Sequence, residues 1–179
     1  MQLTLGNKVV YPCQGPCRIG SIVEKVVAGR TMNFYQLIVL DVTGGELFVP
    51  VEKVQMTGIR LLLRKSEIPK LLQRLTVTIE ITRDWKQRAK DIQMLLSSGS
   101  AFDLAKVISL LTTLNEKKFL SLRESWTLER ARKLLICEIS EVMGNTRNAT
   151  EEQMDQALKA RKTESVGERF NVPSEVSAC

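Results

Sequence analysis

Histidine is absent from this chain, so the candidate side chains for chemistry are four cysteines and a large set of basic residues, lysine and arginine. Histidine is the usual general base near neutral pH and the usual activator of serine and cysteine nucleophiles, so its absence excludes most hydrolase triads. The two common glycine-rich phosphate-binding loops, the P-loop and the dinucleotide-binding turn, do not occur in the sequence either. These features predict a binding protein rather than an enzyme.

The cysteines, at positions 13, 17, 137 and 179, are too few and too scattered to form a disulfide framework. Cys13 and Cys17 could reach one metal ion from a hairpin, but a structural zinc site usually needs a second close pair of Cys or His ligands, and none is present. We therefore predict reduced thiols, no metal site and no cofactor, with these two cysteines packing near a turn.

Basic residues exceed acidic ones by 26 to 20, which gives a net charge of +6 and favours an anionic partner. The surplus is concentrated in two segments, residues 60–90 and 117–133. Either segment alone could be an ordinary solvated helix surface. Their combination makes an anionic partner the first candidate.

Trp85 lies inside the first basic segment and can be interpreted in two ways. Its helical spacing to Ala89 and Ile92 favours a core residue. Its charged neighbours favour an exposed one, because a buried ring among them would desolvate their charges. These neighbours are Arg83, Lys86, Arg88 and Lys90. Trp126 follows a second helical pattern and is predicted to pack or to be partly covered.

The first sixty residues are expected to form short strands, because β-branched and aromatic residues dominate runs that glycines interrupt. The predicted strands cover residues 8–12, 16–27, 33–41 and 46–51. Four or five strands in so short a segment predict a small Tudor/SH3-like β-barrel, since closure removes exposed strand edges.

Helical spacing replaces the strand pattern after Arg60. Helices are predicted to begin near residues that cap helix N-termini, which are Ser66, Asp84, Ser100, Ser121 and Thr150. Residues 77–83 are predicted to form an extended connector. The fold class is therefore α+β: a β-barrel in residues 1–60, an all-α helical bundle in residues 61–162, and a flexible polar tail in residues 163–179.

Two sequence blocks resemble the CarD family of bacterial transcription regulators. The first block is similar to the family's RNA polymerase-interacting domain, which also occurs in transcription-repair coupling factors. It comprises Gly6-Asn7-Lys8-Val9-Val10-Tyr11-Pro12, Phe48-Val49-Pro50-Val51 and Gly58-Ile59-Arg60. The second block is similar to the family's helical domain. It comprises Asp84-Trp85-Lys86-Gln87-Arg88-Ala89-Lys90, Leu96-Ser97-Ser98-Gly99, Leu120-Ser121-Leu122, Ala131-Arg132-Lys133-Leu134-Leu135 and Glu138.

This resemblance implies a factor without promoter specificity of its own that binds the β subunit of RNA polymerase and stabilises the open promoter complex. In that family a tryptophan of the helical domain wedges into the minor groove at the upstream edge of the transcription bubble, and Trp85 matches its position. The resemblance thus favours an exposed Trp85. The DNA phosphates would be bound without sequence readout by Arg83, Lys86, Arg88 and Lys90.

The resemblance also implies a set of polymerase contacts, Lys25, Val27, Phe48, Val49 and Pro50. Lys25 and Val27 match a basic and an aliphatic contact on one strand. Phe48 falls where some family members carry arginine. Three interpretations stay open: the second contact is apolar, it lies elsewhere on the barrel, or Phe48 faces the core.

Two other classes of function remain open at this point. The first is an RNA-binding or ribosome-associated protein, although the five Phe, two Tyr and two Trp form no aromatic cluster on one strand. The second is a structural adaptor with an incidental basic surface.

No apolar run approaches the ~18 residues of a membrane span, and the N-terminus does not resemble a signal peptide. We expect a cytoplasmic protein, associated with the nucleoid through polymerase, with no membrane partner and no small-molecule substrate.

Overall fold

The alternating apolar runs of the first part of the chain form an antiparallel sheet. The computed structural model describes residues 3–41, 44–79 and 84–167. Its strands are β1 (Lys8–Tyr11), β2 (Gly15–Val27), β3 (Arg30–Val39), β4 (Glu46–Pro50) and β5 (Arg60–Leu61). They lie in the order β4-β3-β2-β1-β5.

The sheet is open, which corrects the expectation of a closed barrel. Between the described strands, β4 pairs only with β3, and β5 pairs only with β1, at Val9 and Val10. Among the described strands, β4 and β5 are therefore the two edges, and they do not pair with each other. A 3-10 turn at Val51–Met56 follows β4 and buries Val54 in the apolar cluster of the sheet.

The hairpin of β2 and β3 extends beyond the core of the sheet. Ile19 faces inward and pairs with Leu37, whereas a bulge before Ser21 shifts the register. Beyond the bulge, alternate residues of β2 face the outer side of the sheet, and even the inward-facing Ile22 is half exposed. The hairpin therefore presents a long outer face.

Five helices follow, and most begin where their capping residues predict. They are α1 (Ile68–Thr76), α2 (Trp85–Ser97), α3 (Ala101–Lys117), α4 (Leu122–Met143) and α5 (Arg147–Gly167). The side chains of Asp84, Ser100 and Ser121 accept hydrogen bonds from backbone N–H groups in the first turns of α2, α3 and α4. None of the helices in the described ranges is both long and apolar enough to cross a bilayer.

The fifth helix differs from its prediction at both ends. It begins at Arg147 rather than near Thr150, because the hydroxyl of Thr146 accepts a hydrogen bond from the N–H of Ala149 at 3.3 Å. It also continues past residue 162 to Gly167. The rest of the expected tail, residues 168–179, and residues 80–83 of the expected connector lie outside the described residues.

The buried apolar residues form two separate clusters. One belongs to the sheet and its 3-10 turn. The other belongs to the helices, where α3 is central and packs against α1, α2 and α4. On this basis we keep the division into units at residues 1–60 and 61–162 as a proposal, which limited proteolysis can test.

Candidate functional site

Trp85 is exposed at the start of the second helix. The carboxylate of Asp84 caps α2 by accepting a hydrogen bond from the N–H of Lys86 at 2.9 Å, so Trp85 is the first helical residue. Helical side chains lean toward the N-terminus, so this ring has no earlier turn of α2 to pack on. It is 64% exposed, and the Nζ of Lys86 lies 5.7 Å from its centre. This placement favours the exposed tryptophan over the core one.

The buried face of α2 contains Ile92, Leu95 and Leu96, as the apolar spacing predicts, but its first turns differ from that prediction. Ala89 was expected in the stripe but is exposed, whereas Arg88 is only 4% exposed and occupies the turn before the buried Ile92. The long aliphatic part of an arginine can fill an apolar site if its charged end finds a partner. Here that partner comes from another helix.

Arg88 is held by Glu124 near the start of α4. A guanidinium nitrogen of Arg88 lies 3.1 Å from a carboxylate oxygen of Glu124. The same carboxylate accepts hydrogen bonds from the hydroxyl and the backbone N–H of Ser121, at 2.7 and 2.9 Å. Partial burial acts to raise the pKa of Glu124, but these hydrogen bonds and the charge of Arg88 hold it below its ordinary value. Arg88 therefore ties α2 to α4, which corrects its expected placement as an exposed phosphate contact.

The other predicted bases have different positions. Lys86 and Lys90 are exposed on α2, whereas Arg83 lies outside the described residues. A groove of about 150 Å³ runs between α2 and the start of α4, and its lining includes Trp85, Ile92 and Arg123. Arg123 belongs to the second basic segment, so the fold joins the two segments at one surface. Its position just after the predicted cap of α4 was the only sequence signal for this surface, and it could be interpreted only from the Arg88–Glu124 contact between α2 and α4.

The outer face of the sheet brings together most of the expected polymerase contacts. Phe48 pairs with Gln36 of β3, and Lys25 pairs with Met32 of the same strand. Because Met32 and Gln36 are four residues apart, they point to the same side of the sheet, and so do Lys25 and Phe48. The Nζ of Lys25 lies 3.1 Å from the centre of the Phe48 ring, within cation–π distance. Phe48 is 39% exposed, which rules out the core-facing interpretation. Phe34 pairs with Pro50 on the same side of the sheet but is only 9% exposed.

Val49 does not belong to this face. It pairs with Tyr35, points to the inner side of the sheet, and is only 3% exposed. Because neighbouring residues of a strand point to opposite sides, Val49 cannot share a surface with Phe48 and Pro50. Its expected role as a polymerase contact is corrected to one in the core, while Val27 remains half exposed on the outer face.

Trp126 is exposed to about the same degree as Trp85, at 68%, rather than packed or covered. It lies on α4, and it is not among the residues that line the groove beside Trp85. The molecule thus offers two exposed tryptophans in different surroundings.

Comparison with known proteins assigns both parts of the chain to the same family. Residues 3–63 match the family model of the CarD-like/TRCF RID domain, and residues 68–155 match that of the CarD C-terminal domain. The chain belongs to the CarD family. This membership places it among transcription regulators. The two CarD matches meet at the short 3-10 turn Lys65–Glu67, just before α1.

Individual proteins show similarity to this CarD-family chain as well. The "Putative transcription factor YdeB" of Bacillus subtilis (strain 168) is 26% identical over 145 residues, which cover 79% of this chain and 93% of the relative. The solution NMR structure of the 72-residue N-terminal domain of Myxococcus xanthus CarD is 40% identical, covering 34% of this chain and 79% of that domain, with a TM-score of 0.29.

Proposed function

We propose that this CarD-family protein binds the β subunit of RNA polymerase through the outer face of its sheet and stabilises the open promoter complex through Trp85. The ring inserts into the minor groove at the upstream edge of the transcription bubble. The observation that carries the proposal is the exposed ring of Trp85 at the start of α2, beside exposed Lys86 and Lys90.

The energetics of insertion favour DNA that is already distorted. A tryptophan buries up to about 250 Å², so a ring that is 64% exposed still has roughly 100–160 Å² to cover. At about 25 cal/mol per Å² this is worth at most roughly 2–4 kcal/mol. Unstacking one base step costs a few kcal/mol, so insertion into intact duplex brings little net gain. At the bubble edge polymerase has already opened the step, and the ring then stabilises the open state.

The bases around Trp85 support contacts with the phosphate backbone. Lys86, Lys90 and Arg123 lie along α2 and the adjoining groove, and lysine and arginine bind phosphates without reading base sequence. The chain would therefore depend on polymerase for its location on the promoter.

The outer face of the sheet supports the polymerase contact. Val27, Phe48 and Pro50 offer apolar surface there, and Lys25 adds a positive charge above the Phe48 ring. A partner surface that combines apolar and acidic side chains would complement this face. We therefore interpret Phe48 as an apolar contact. The match of residues 3–63 to an RID domain supports polymerase as the partner.

The RNA-binding alternative receives less support from the same surfaces. Four aromatic residues are exposed in the described ranges, and they lie on β4, α2, the segment between α3 and α4, and α4: Phe48, Trp85, Phe119 and Trp126. Stacking of successive bases usually needs several rings side by side on one platform.

The half-life of open complexes tests the proposal, with Trp126→Ala as a control that removes an equally exposed tryptophan. Adding the wild-type chain to polymerase and promoter should lengthen the half-life. Trp85→Ala should lose roughly tenfold or more of this effect, since ~1.4 kcal/mol corresponds to tenfold. It should keep polymerase binding and folding, because an exposed side chain contributes little to the core. Equal half-lives for Trp85→Ala and wild type, or equal losses for both tryptophan variants, would contradict the wedge.

A further inference from the structure

Several residues of the two family-like blocks are not used by the proposed surfaces, and they meet where the sheet joins the helices. Glu138 of α4 is only 1% exposed. Its two carboxylate oxygens accept hydrogen bonds from both terminal nitrogens of Arg60 in β5, at 2.6 and 2.8 Å. The backbone N–H of Leu63 also donates to this carboxylate, at 3.2 Å.

Arg60 makes a third connection through its remaining nitrogen. Its Nε donates a hydrogen bond to the carbonyl oxygen of Gly99, in the turn between α2 and α3, at 2.7 Å. One guanidinium group thus joins β5, α4 and the end of the helix that carries Trp85. Because the guanidinium is planar and rigid, it fixes the directions of these three contacts relative to one another.

Close backbone packing surrounds this ion pair. The ring of Pro12, after β1, lies between Gly58 and Gly99, and a Cβ on either glycine would come within 3.2 or 3.1 Å of its Cγ. Both glycines have positive φ, so larger side chains would also strain the backbone. At the rim, Lys8 pairs with Glu141 at 2.8 Å. The junction therefore combines tight packing with a directional polar contact.

The ion pair is partly buried, since the side chain of Glu138 is 1% exposed and that of Arg60 is 26% exposed. Such a pair is a poor source of net stability, but it restrains the orientation of the elements that it joins. Moving two charges out of water costs about as much as their attraction returns, whereas removing one partner leaves the other charge buried and unpaired. An apolar interface could slide by small steps. A carboxylate that is 1% exposed must keep its donors, so rotation of the sheet relative to the helices is penalised.

We infer that Arg60 and Glu138 are positioning residues that hold the outer face of the sheet and Trp85 in one relative orientation. The inference rests on the proposed function. The docking side chains lie on β2 and β4, and the junction is made at β5 and the turn after β1. Docking of the sheet on polymerase then determines where the Trp85 ring meets the DNA.

Glu138→Gln tests this inference, because the amide keeps the size of the side chain but has only one acceptor oxygen for the Arg60 fork. In the uniformly ¹⁵N-labelled full chain, residual dipolar couplings report the orientation of each unit. Wild type should fit one alignment tensor for β2–β3 and α3–α4, and Glu138→Gln should need two. Polymerase capture and duplex DNA binding should change by less than about twofold, whereas the open-complex half-life should fall severalfold.

A matched control separates positioning from loss of fold. Met154→Ala removes a fully buried apolar side chain of α5 within the helical cluster and leaves both members of the ion pair in place. It should lower stability but keep one tensor, and its half-life should follow the folded fraction. If Glu138→Gln fails to fold, Arg60→Lys, which keeps the charge and loses the fork, is measured in its place and should show the same divergence of tensors and the same loss.

The outcomes for this inference and for the proposed function differ. No effect of the wild-type chain on open complexes would remove the proposed function. The positioning role alone would be overturned if the wild-type chain lengthened the half-life and Glu138→Gln, or Arg60→Lys in its place, lengthened it equally. This holds whether or not the alignment tensors of the variant diverge.

Discussion

Phe48 and Trp85 are both exposed aromatic residues with a lysine above the ring, but the molecule supports them in different ways. Phe48 lies within a strand that is paired to β3, and the neighbouring Val49 is part of the core. Trp85 is the first residue of a helix. Lys25 sits 3.1 Å from the Phe48 ring centre, whereas Lys86 is 5.7 Å from that of Trp85.

The difference suggests two kinds of binding. A paired sheet offers a preformed surface that suits a stable protein partner. An isolated ring with most of its surface in water can be covered by a partner that becomes available only after a structural change, such as a distorted base step. The helix that carries the ring is held in place one turn later, where the buried Arg88 pairs with Glu124 of α4.

The largest expected effect on stability comes from removing the Arg88 side chain. Arg88→Ala leaves Glu124 without its charged partner, which in a buried pair costs about 3–5 kcal/mol. Because Glu124 keeps some solvent contact, we expect a smaller loss, about 2–3 kcal/mol in the free energy of unfolding. Urea denaturation of Arg88→Ala and of Lys90→Ala, an exposed base on the same helix, measures the contrast. Equal midpoints for the two variants would show that Arg88 is not a structural tie.

The second comparison uses neighbouring residues of β4. Val49→Ala should cost about 2 kcal/mol of stability, because it removes buried methyl groups and leaves a cavity. Its polymerase capture should follow the folded fraction. Phe48→Ala should cost less than about 1 kcal/mol of stability and weaken capture directly. Thermal unfolding and polymerase capture are measured on both variants. The assignment would be contradicted if Val49→Ala stayed folded but failed to capture polymerase while Phe48→Ala still captured it.

The third effect concerns the pH dependence of the Arg88–Glu124 ion pair. The pKa of Glu124 is lowered in the folded protein, so the ionised carboxylate contributes stability above its unfolded value of about 4.3. This contribution is lost as the pH falls through the lower folded pKa. Glu124→Gln should therefore unfold more easily than wild type by about 1–2 kcal/mol at pH 7. The gap should narrow progressively below about pH 4.3, and a gap independent of pH would count against the ion pair.

The smallest effect separates bases on the two surfaces. If Lys90 contacts one phosphate, Lys90→Gln should weaken duplex DNA binding and make the salt dependence shallower by about 0.9 in the slope of log K against log salt. Lys25→Gln, on the sheet, removes the same charge and should leave that slope unchanged. Fluorescence anisotropy titrations at several salt concentrations measure both, and equal changes would indicate a diffuse charge effect.

The features that could be predicted from the sequence are those that nearby residues determine. Helix starts at Asp84, Ser100 and Ser121 follow from hydrogen bonds within one turn, and the strands follow from short alternating runs. The closed barrel was wrong because closure requires the two edge strands to pair, and local strand patterns carry no information about the tilt and stagger that would bring β4 and β5 together.

The features that were missed depend on residues far apart in the chain. Arg88 looks like an exposed base until Glu124, 36 positions later, packs beside it. Arg60 and Glu138 are separated by 78 positions. Local patterns carry no information about such pairs, so the site could be predicted to the level of a basic helix with a tryptophan, but not to which base is buried.

The most direct test of the account places a photo-crosslinking amino acid, p-benzoylphenylalanine, at position 85 of the full chain, and at position 126 in a control protein. We predict that position 85 crosslinks to promoter DNA at the upstream edge of the bubble, and only when polymerase has opened the promoter. Position 126 should not give this product. Crosslinks from position 85 to polymerase alone, or the same DNA product from both positions, would contradict the proposal that Trp85 is the wedge.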